Sequence, residues 1–182
     1  MSKMRIIAGD AKGRRLFSPK GENLRPTSDK VKEALFNILA FRIVSASFLD
    51  LYAGCGSVGI EAISRGAKNV VFVEKNKTNI LLLKKNLSLF PDYHAVHVFE
   101  GTVLHFLKKN KDTFDIIFID PPYAEGNEEI LQTLGCYDNI SPGGLVIIEH
   151  FHKKNLPDTA GVLSLLKRYR YGGTTLTFYV KN

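Results

Sequence analysis

The sequence has few cysteines and no long apolar run. Its 182 residues include only Cys55 and Cys136, which lack the spacing of a metal site or a disulfide framework. A reducing cytoplasm is therefore the predicted compartment. No apolar run approaches the ~20 residues of a membrane span, and the opening MSKMRIIAGDAKGRR contains no secretory apolar stretch. We expect a cytoplasmic protein with no membrane segment, no metal and one compact main domain.

Acidic residues are scarce at both ends of the chain. Residues 1–32 carry nine Lys or Arg against three Asp or Glu, and residues 151–182 carry six against one. Residues 33–150 reverse the balance, with ten basic against fourteen acidic residues. Basic ends favour a polyanionic partner whose binding is sensitive to salt. The alternative is an ordinary solvated surface, which charge alone does not exclude.

Strand-like and helix-like segments alternate along most of the chain. Residues 1–26 form a Gly-rich basic stretch that predicts a small hairpin or arm, followed by a helix with Thr27 or Ser28 as N-cap. Residues 27–182 then form one unit. Its strands FLDLY, NVVFVE, FDIIFID and GGLVIIEH are nearly all apolar, which is typical of a parallel sheet with helices on both faces. The last strand, from Thr174 to Val180, is expected to be antiparallel.

Three glycines between the first strand and the next helix predict a ligand-binding loop. Gly54, Gly56 and Gly59 follow the pattern G-x-G-x-x-G, which lets a backbone turn tightly and approach a ligand. Glu74 ends the next strand, where a carboxylate can accept hydrogen bonds from both ribose hydroxyls. The alternative for Glu74 is a surface acid at a strand end. The loop alone leaves a nicotinamide-dependent dehydrogenase open.

Asp50 favours a positively charged ligand over a dinucleotide. It ends the first strand four residues before Gly54, and its carboxylate would repel a pyrophosphate. S-adenosylmethionine carries an ammonium and a sulfonium but no phosphate. The segment LDLYAGCG accordingly resembles the first motif of Rossmann-like methyltransferases. The alternative for Asp50 is an acid that caps a helix or braces the loop, and Cys55 is interpreted as a small residue that fits.

The segment Asp120-Pro121-Pro122-Tyr123 follows the fourth strand, so it should lie beside the glycine loop. Asp120 offers an acceptor, the two prolines a rigid turn that presents carbonyls, and Tyr123 a flat face. Together these groups suit a base with an exocyclic amine. The alternative is a turn that ends a buried strand. D-P-P-Y resembles the catalytic motif of methyltransferases acting on adenine or guanine amines, which implies that Asp120 and the Pro121 carbonyl orient the amine.

Four segments in order resemble one narrower family. MRIIAGDAKGRRL, RPTSDKVKEALFNIL, LDLYAGCGSVGIEAISRGA and DPPY together are similar to the bacterial 16S ribosomal RNA guanine-N2 methyltransferases. The resemblance implies a Rossmann-like, seven-stranded, mostly parallel sheet with an antiparallel last strand. It also implies S-adenosylmethionine as methyl donor, S-adenosylhomocysteine as product, and small-subunit ribosomal RNA as partner. A monomer is the default expectation.

The same resemblance implies the site residues. The catalytic set is Asp120, Pro121, Pro122 and Tyr123. The cofactor-binding set is Asp50, Tyr52, Ala53, Gly54, Gly56, Glu74, Lys75, Gly101, Thr102 and Asp120. The RNA-binding set is Arg5, Lys12, Arg14, Arg15, Arg25 and Thr27. One position departs from the family pattern, because Thr102 stands where an acid usually contacts the adenine amine; Thr102 could cap the following helix or still accept a hydrogen bond.

Three other functions compete with this interpretation. An adenine-N6 methyltransferase acting on RNA or DNA would use the same tetrapeptide, although a chain of this size leaves no room for a large DNA-reading domain. A non-catalytic RNA-binding assembly factor could keep the fold, but pure binding does not require Asp50, Glu74 and Asp120. The dehydrogenase is disfavoured by Asp50 and by the D-P-P-Y segment.

Overall fold

The structure is a computed structural model that describes residues 4–18, 28–93, 95–122, 127–136 and 138–182. Its helices are α1 (Asp29–Leu39), α2 (Ser57–Ser64), α3 (Lys77–Leu87), α4 (Val103–Lys109) and α5 (Asn127–Cys136), and a 3-10 turn (Ala40–Ile43) follows α1. Its strands are β1 (Ser47–Leu51), β2 (Asn69–Glu74), β3 (Val96–Glu100), β4 (Phe114–Ile119), β5 (Ile140–Phe151), β6 (Thr159–Ala160), β7 (Leu163–Tyr171) and β8 (Thr174–Lys181). None of the helices in these ranges is long and apolar enough to cross a membrane.

One sheet runs through the whole domain in the order β3-β2-β1-β4-β5-β8-β7-β6. The first five strands in this order are parallel neighbours, and β8 lies antiparallel to β5 and β7. The predicted α/β fold, mostly parallel with an antiparallel last strand, is confirmed. The sheet has eight strands rather than seven because the two-residue β6 pairs with β7. The chain order reverses at β1, between β2 and β4, where open sheets of this kind bind ligands.

Each face of the sheet is covered by its own helices. Phe48 and Phe72 point to the face that α1, α2 and α3 cover, while Leu49 and Leu51 point to the face of α4 and α5. The strands are therefore apolar on both sides, as the sequence predicted. Ser28 caps α1 by accepting from the Val31 amide at 3.3 Å, whereas Thr27, the other predicted cap, lies outside the described residues.

The third glycine of the loop allows α2 to approach the sheet. A Cβ added at Gly59 would lie 2.2 Å from the Phe72 ring, closer than real contacts allow. Gly59 therefore serves helix–strand packing rather than ligand contact. This is the role that the third glycine of a G-x-G-x-x-G loop has in dinucleotide-binding folds.

Residues 4–18 form a short hairpin, and the predicted extent of the N-terminal arm, residues 1–26, stays a prediction. Arg5 and Arg15 form an antiparallel bridge, and the Leu16 amide donates to the Met4 carbonyl at 3.0 Å. Met4, Ile6 and Leu16 are buried in the same core as α1, α2 and α3. The hairpin thus packs on the main domain, and burial of its apolar side chains holds it there.

A buried acid in α2 anchors this hairpin. The Glu61 carboxylate accepts from the amides of Ile7 and Ala8, at 2.8 and 3.0 Å. It also pairs with Lys32 at 3.3 Å and with Arg65 at 2.9 Å. Lys32 and Glu61 are both fully buried, and burial lowers the pKa of Lys32 although the Glu61 charge opposes this change. The sequence analysis did not identify this cluster, because the contact joins side chains from separate segments of the chain.

Replacing Glu61 should weaken the fold strongly. In Glu61→Ala, Lys32 would remain buried without its counter-charge and two hairpin amides would lose their acceptor. We expect the free energy of unfolding to fall by about 3–5 kcal/mol. The control is Glu100→Ala, since Glu100 and its partner Lys84 are about half exposed, and such a pair contributes at most about 1 kcal/mol. Urea unfolding measures both variants, and equal losses would contradict the anchoring role of Glu61.

Candidate active site

The predicted acidic residues gather where neighbouring strands end at one edge of the sheet. Asp50 of β1 pairs with Phe72 of β2 and Phe118 of β4. Glu74 and Asp120 each follow two residues later on these neighbouring chain segments. The charges of Asp120 and Glu74 are close enough to affect the ionisation of Asp50. The structure therefore brings the glycine loop, Asp50, Glu74 and Asp120 together.

The glycine loop contains three residues in the left-handed backbone region. Tyr52, Gly54 and Gly56 have φ values of 64°, 57° and 82°. A Cβ at Gly56 would lie 2.3 Å from Leu83, whereas one at Gly54 would meet only the Tyr52 carbonyl, at 4.0 Å. Gly54 thus faces open space at the sheet edge and Gly56 faces the core. The predicted ligand-binding loop therefore has room for a ligand at Gly54. The neighbouring Ala53 amide donates to the Val73 carbonyl at 3.0 Å, which ties the loop to β2.

Asp50 is buried and braces the loop. It is 2% exposed, and its carboxylate accepts from the Gly59 amide at 2.8 Å. Burial raises the pKa of Asp50 to about 7; the hydrogen bond from Gly59 lowers it, and the charges of Asp120 and Glu74 raise it further. This hydrogen bond agrees with the alternative interpretation, in which Asp50 braces the glycine loop. The predicted contact of Asp50 with a cationic ligand stays a prediction.

Glu74 organises the loops on both sides of it. Its carboxylate accepts from the amides of Gly54, Lys75 and Asn76, at 2.8, 2.8 and 2.7 Å. It is only 8% exposed, so the alternative of a surface acid is wrong. Its predicted contact with ribose stays a prediction, and so does the cofactor role of Lys75.

The loop after β3 joins the same edge. The Gly101 amide donates to the Glu74 carbonyl at 2.9 Å. The Thr102 hydroxyl caps α4 by accepting from the His105 amide at 3.3 Å, which is one of the two roles that the sequence allowed. His105 itself stacks on Phe99, with ring centroids 5.8 Å apart. Within the described ranges, no group of three or more His, Cys, Asp or Glu side chains could hold a metal ion.

A shallow cleft lies beside the predicted catalytic segment. Its volume is about 310 Å³, counting the solvent at its mouth. We call it the Asp120 cleft, and its lining residues are Asp120, Pro121, Glu149, His150, Phe151, Lys154 and Thr174. Pro121 is buried and Pro122 exposed, while Tyr123 lies outside the described residues. The sequence analysis assigned no role to Glu149 or Lys154, although an acid at the end of the next parallel strand was visible in GGLVIIEH.

The predicted RNA-binding residues of the hairpin differ in their surroundings. The Arg14 guanidinium lies 4.9 Å from the Phe90 ring and donates to the Leu89 carbonyl, so it has a structural role. The Arg5 side chain is 63% exposed and forms an ion pair with Asp29 at 3.5 Å. Lys12 and Arg15 are exposed. Arg25 and Thr27 lie outside the described residues, and RNA contact stays a prediction for the whole set.

A second basic surface follows β7. Lys167, Arg168 and Arg170 are exposed along this strand. The Lys167 ammonium lies 5.2 Å from the Tyr169 ring, so a cation and an aromatic ring are neighbours on this surface. The sequence analysis recognised the positive charge of residues 151–182 but named none of these side chains. The structure places this charge on the antiparallel part of the sheet.

Comparison with known proteins gives consistent matches over nearly the whole chain. The family model described as "Conserved hypothetical protein 95" matches residues 4–180. The ribosomal RNA small subunit methyltransferase D of Haemophilus influenzae is 43% identical over 150 residues, which cover 80% of this chain and 78% of the relative. The protein of that name from Escherichia coli is 34% identical over 177 residues, covering 97% and 89%. The solved structure of Escherichia coli yhhF matches with a TM-score of 0.88 at 32% identity, covering 100% and 99%.

Proposed function

The chain belongs to the family of the ribosomal RNA small subunit methyltransferase D proteins, and from that premise we propose that it methylates the exocyclic N2 amine of one guanine in small-subunit ribosomal RNA. Membership confirms the predicted family and S-adenosylmethionine as its cofactor. The choice of guanine over adenine follows the resemblance of the four sequence segments, and the choice of an exocyclic amine as the target rests on one observation. Asp120 and Pro121 line a cleft at the same sheet edge as the glycine loop.

The residues at the sheet edge fit the cofactor. S-adenosylmethionine, when bound, supplies a methyl group on a positively charged sulfur. Gly54 offers open space at the loop surface, its amide donates to the Glu74 carboxylate, and Asp50 accepts from the Gly59 amide of the same loop. A buried carboxyl with a raised pKa becomes more stable as an anion when a cation lies beside it. Asp50, Glu74 and the loop amides would therefore hold the amino acid and ribose parts of the cofactor.

Asp120 would orient the target amine. An aromatic amine is a weak nucleophile because its lone pair is delocalised into the ring. Hydrogen bonds from the amine to the Asp120 carboxylate and the Pro121 carbonyl favour a geometry in which this lone pair is available. The N2–carbon bond forms as the carbon–sulfur bond breaks, its electron pair stays on sulfur, and the surplus proton leaves N2 towards Asp120 or water.

The RNA base must leave its stack to reach this edge. Enzymes that modify a base atom extrude the nucleotide into a pocket lined by flat or apolar groups. Phe151 in the Asp120 cleft is 40% exposed and offers such a surface. Tyr123 stays a predicted stacking partner. We also propose that the protein acts as a monomer in the cytoplasm on small ribosomal subunits or their precursors.

A genetic comparison tests the proposed modification. Small-subunit ribosomal RNA from a strain lacking this gene should lose one N2-methylguanosine, measured by nucleoside mass spectrometry. The wild-type gene should restore it, and a gene encoding Asp120→Ala should not. Loss of N6-methyladenosine instead would favour the adenine enzyme. An unchanged set of modified nucleosides would refute the proposed activity.

Binding to the small subunit should weaken steeply with salt, because exposed Lys and Arg side chains displace counterions from phosphates. We expect the double variant Lys12→Ala/Arg15→Ala to reduce the slope of log affinity against log salt by about 1–2. Filter binding between low and physiological salt measures this slope. The double variant Lys108→Ala/Lys109→Ala, at the end of α4, is the matched control. An affinity that does not change with salt would show that the basic residues at the two ends of the chain do not contact RNA phosphates.

A further inference from the structure

The Asp120 cleft extends beyond the predicted catalytic segment onto the end of β5. Ile119 of β4 pairs with Ile148 of β5 in a parallel register, so Asp120 and Glu149 follow at the same level of adjacent chain segments. Both residues line the cleft. Neighbouring strands lie about 4.8 Å apart, a separation at which two side chains can contact adjacent groups of one base. Glu149 therefore borders the position where Asp120 would hold the amine.

The other wall of the cleft offers a donor and an apolar face. Lys154 and Phe151 line it together with Thr174 of β8. Phe151 pairs with Thr174 across β5 and β8, which fixes the backbone of this wall within a regular ladder. The cleft thus combines two carboxylates, one ammonium, the phenyl ring of Phe151 and the imidazole of His150. This set can contact both the plane and the polar edge of a base.

The polar groups match the edge of guanine. Guanine presents a carbonyl acceptor at C6, an N–H donor at N1 and an amine donor at N2. Adenine presents an amine donor at C6 and an acceptor at N1. A carboxylate only accepts and an ammonium only donates. When the N2 amine of guanine lies at Asp120, the Glu149 carboxylate can accept from N1–H and the Lys154 ammonium can donate to O6. Adenine would instead place its N1 lone pair against the Glu149 carboxylate, which is repulsive.

We propose that Glu149 is a specificity-determining residue that accepts the N1–H of the target guanine, while Lys154 donates to its O6. This inference rests on the proposed guanine-N2 activity and assigns the residues that would recognise the base. By accepting N1–H, Glu149 would select guanine over other bases and fix the position of the guanine relative to Asp120. It takes no part in the transfer of the methyl group.

The test compares two bases at the methylated position. Small subunits are reconstituted around ligated ribosomal RNA that carries either guanine or 2-aminopurine at the position that the wild-type enzyme methylates. 2-Aminopurine keeps the N2 amine but lacks both N1–H and O6. We expect Glu149→Ala to lower kcat/KM on guanine about ten- to a hundredfold. On 2-aminopurine kcat/KM should stay the same or rise, because the variant removes the repulsion between the carboxylate and the N1 lone pair.

The outcomes separate the two proposals. Equal losses of kcat/KM on both bases would show that Glu149 has a structural role, and unchanged kcat/KM on guanine would show that it has no role. Either result overturns the proposal for Glu149, but the proposed N2-methylation by the wild type would still stand. No N2-methylguanosine from the wild type would overturn both proposals. Glu149→Leu, which keeps much of the side-chain volume but has no acceptor, provides the same comparison if Glu149→Ala does not fold.

A matched control lies at the opposite end of β5. Asp138 precedes β5 and is exposed, and it pairs with Lys181 at 3.3 Å. Asp138→Ala should leave kcat/KM unchanged on both bases. Lys154→Ala should resemble Glu149→Ala, with a loss on guanine that is absent on 2-aminopurine. Loss of base discrimination in Asp138→Ala as well would also count against the assignment of Glu149.

Discussion

Asp120→Ala should reduce methyl transfer by about a thousandfold or more, while S-adenosylhomocysteine still binds. The expected loss is large because the variant lacks the acceptor that positions the amine, and positioning supplies most of the proposed catalysis. The Asp120 amide lies 3.5 Å from the Leu51 carbonyl, a backbone contact that the substitution keeps. Single-turnover transfer measures the chemical step, and calorimetry measures product binding.

Two further variants make the result specific. Asp120→Asn keeps one acceptor oxygen but no charge, so its transfer rate should lie between those of the wild type and Asp120→Ala. Asp112→Ala removes an exposed acid before β4, at the other end of the strand, and should transfer normally. Normal turnover by Asp120→Ala would remove this residue from the mechanism. Loss of S-adenosylhomocysteine binding together with transfer would assign Asp120 to cofactor binding instead.

Asp50→Asn should stabilise the free protein and weaken cofactor binding. The asparagine carbonyl can still accept from the Gly59 amide, whereas the buried negative charge disappears. We expect the free energy of unfolding at pH 8 to rise by about 1–3 kcal/mol. Affinity for S-adenosylmethionine should fall at least tenfold, because the ligand loses a counter-charge. Urea unfolding and calorimetry give the two values. Unchanged affinity would leave Asp50 with the loop-bracing role alone.

The raised pKa of Asp50 has a defined pH signature. Its carboxyl holds a proton up to about pH 7 in the folded protein but only up to about pH 4 in the unfolded chain. The folded state binds more protons between these values, so this group makes stability fall as pH rises from 4 to 7. The change is at most about 4 kcal/mol. Asp50→Asn should lack this contribution.

The same carboxyl should link cofactor binding to pH. A cation beside Asp50 favours its ionised form, so binding below pH 7 should release a proton and affinity should increase up to about pH 7. Calorimetry in buffers of different ionisation enthalpy counts the released protons. An affinity that does not change between pH 5.5 and 8 would contradict a contact between Asp50 and the cationic part of the ligand.

The sequence predicted the sheet and the site edge well because local patterns determine them. Apolar strands such as NVVFVE, the glycine spacing and the acids at strand ends all depend on short segments whose place in a parallel sheet is fixed by topology. Gly59 shows where such reasoning is incomplete. Its motif suggested a ligand loop, but a Cβ added at Gly59 would lie 2.2 Å from the Phe72 ring, so this glycine allows α2 to pack on the sheet.

The parts that the sequence did not predict depend on contacts between distant segments. Glu61 accepts from the hairpin amides of Ile7 and Ala8, which lie more than fifty residues away in the chain. No local sequence pattern predicts a contact over such a separation. Glu149 enters the Asp120 cleft only because β5 lies beside β4 in a particular register. The family resemblance implies RNA contact for Arg14, whereas the packing of Arg14 on Phe90 follows from the tertiary structure.

The most direct test of the proposed activity is methyl transfer in vitro with analysis of the product. The protein is incubated with tritiated S-adenosylmethionine and small ribosomal subunits from a strain lacking this gene, and the RNA is digested to nucleosides. We predict label in N2-methylguanosine with the wild type and none with Asp120→Ala. Label in N6-methyladenosine, or no label from a protein that still binds the cofactor, would contradict the proposed function.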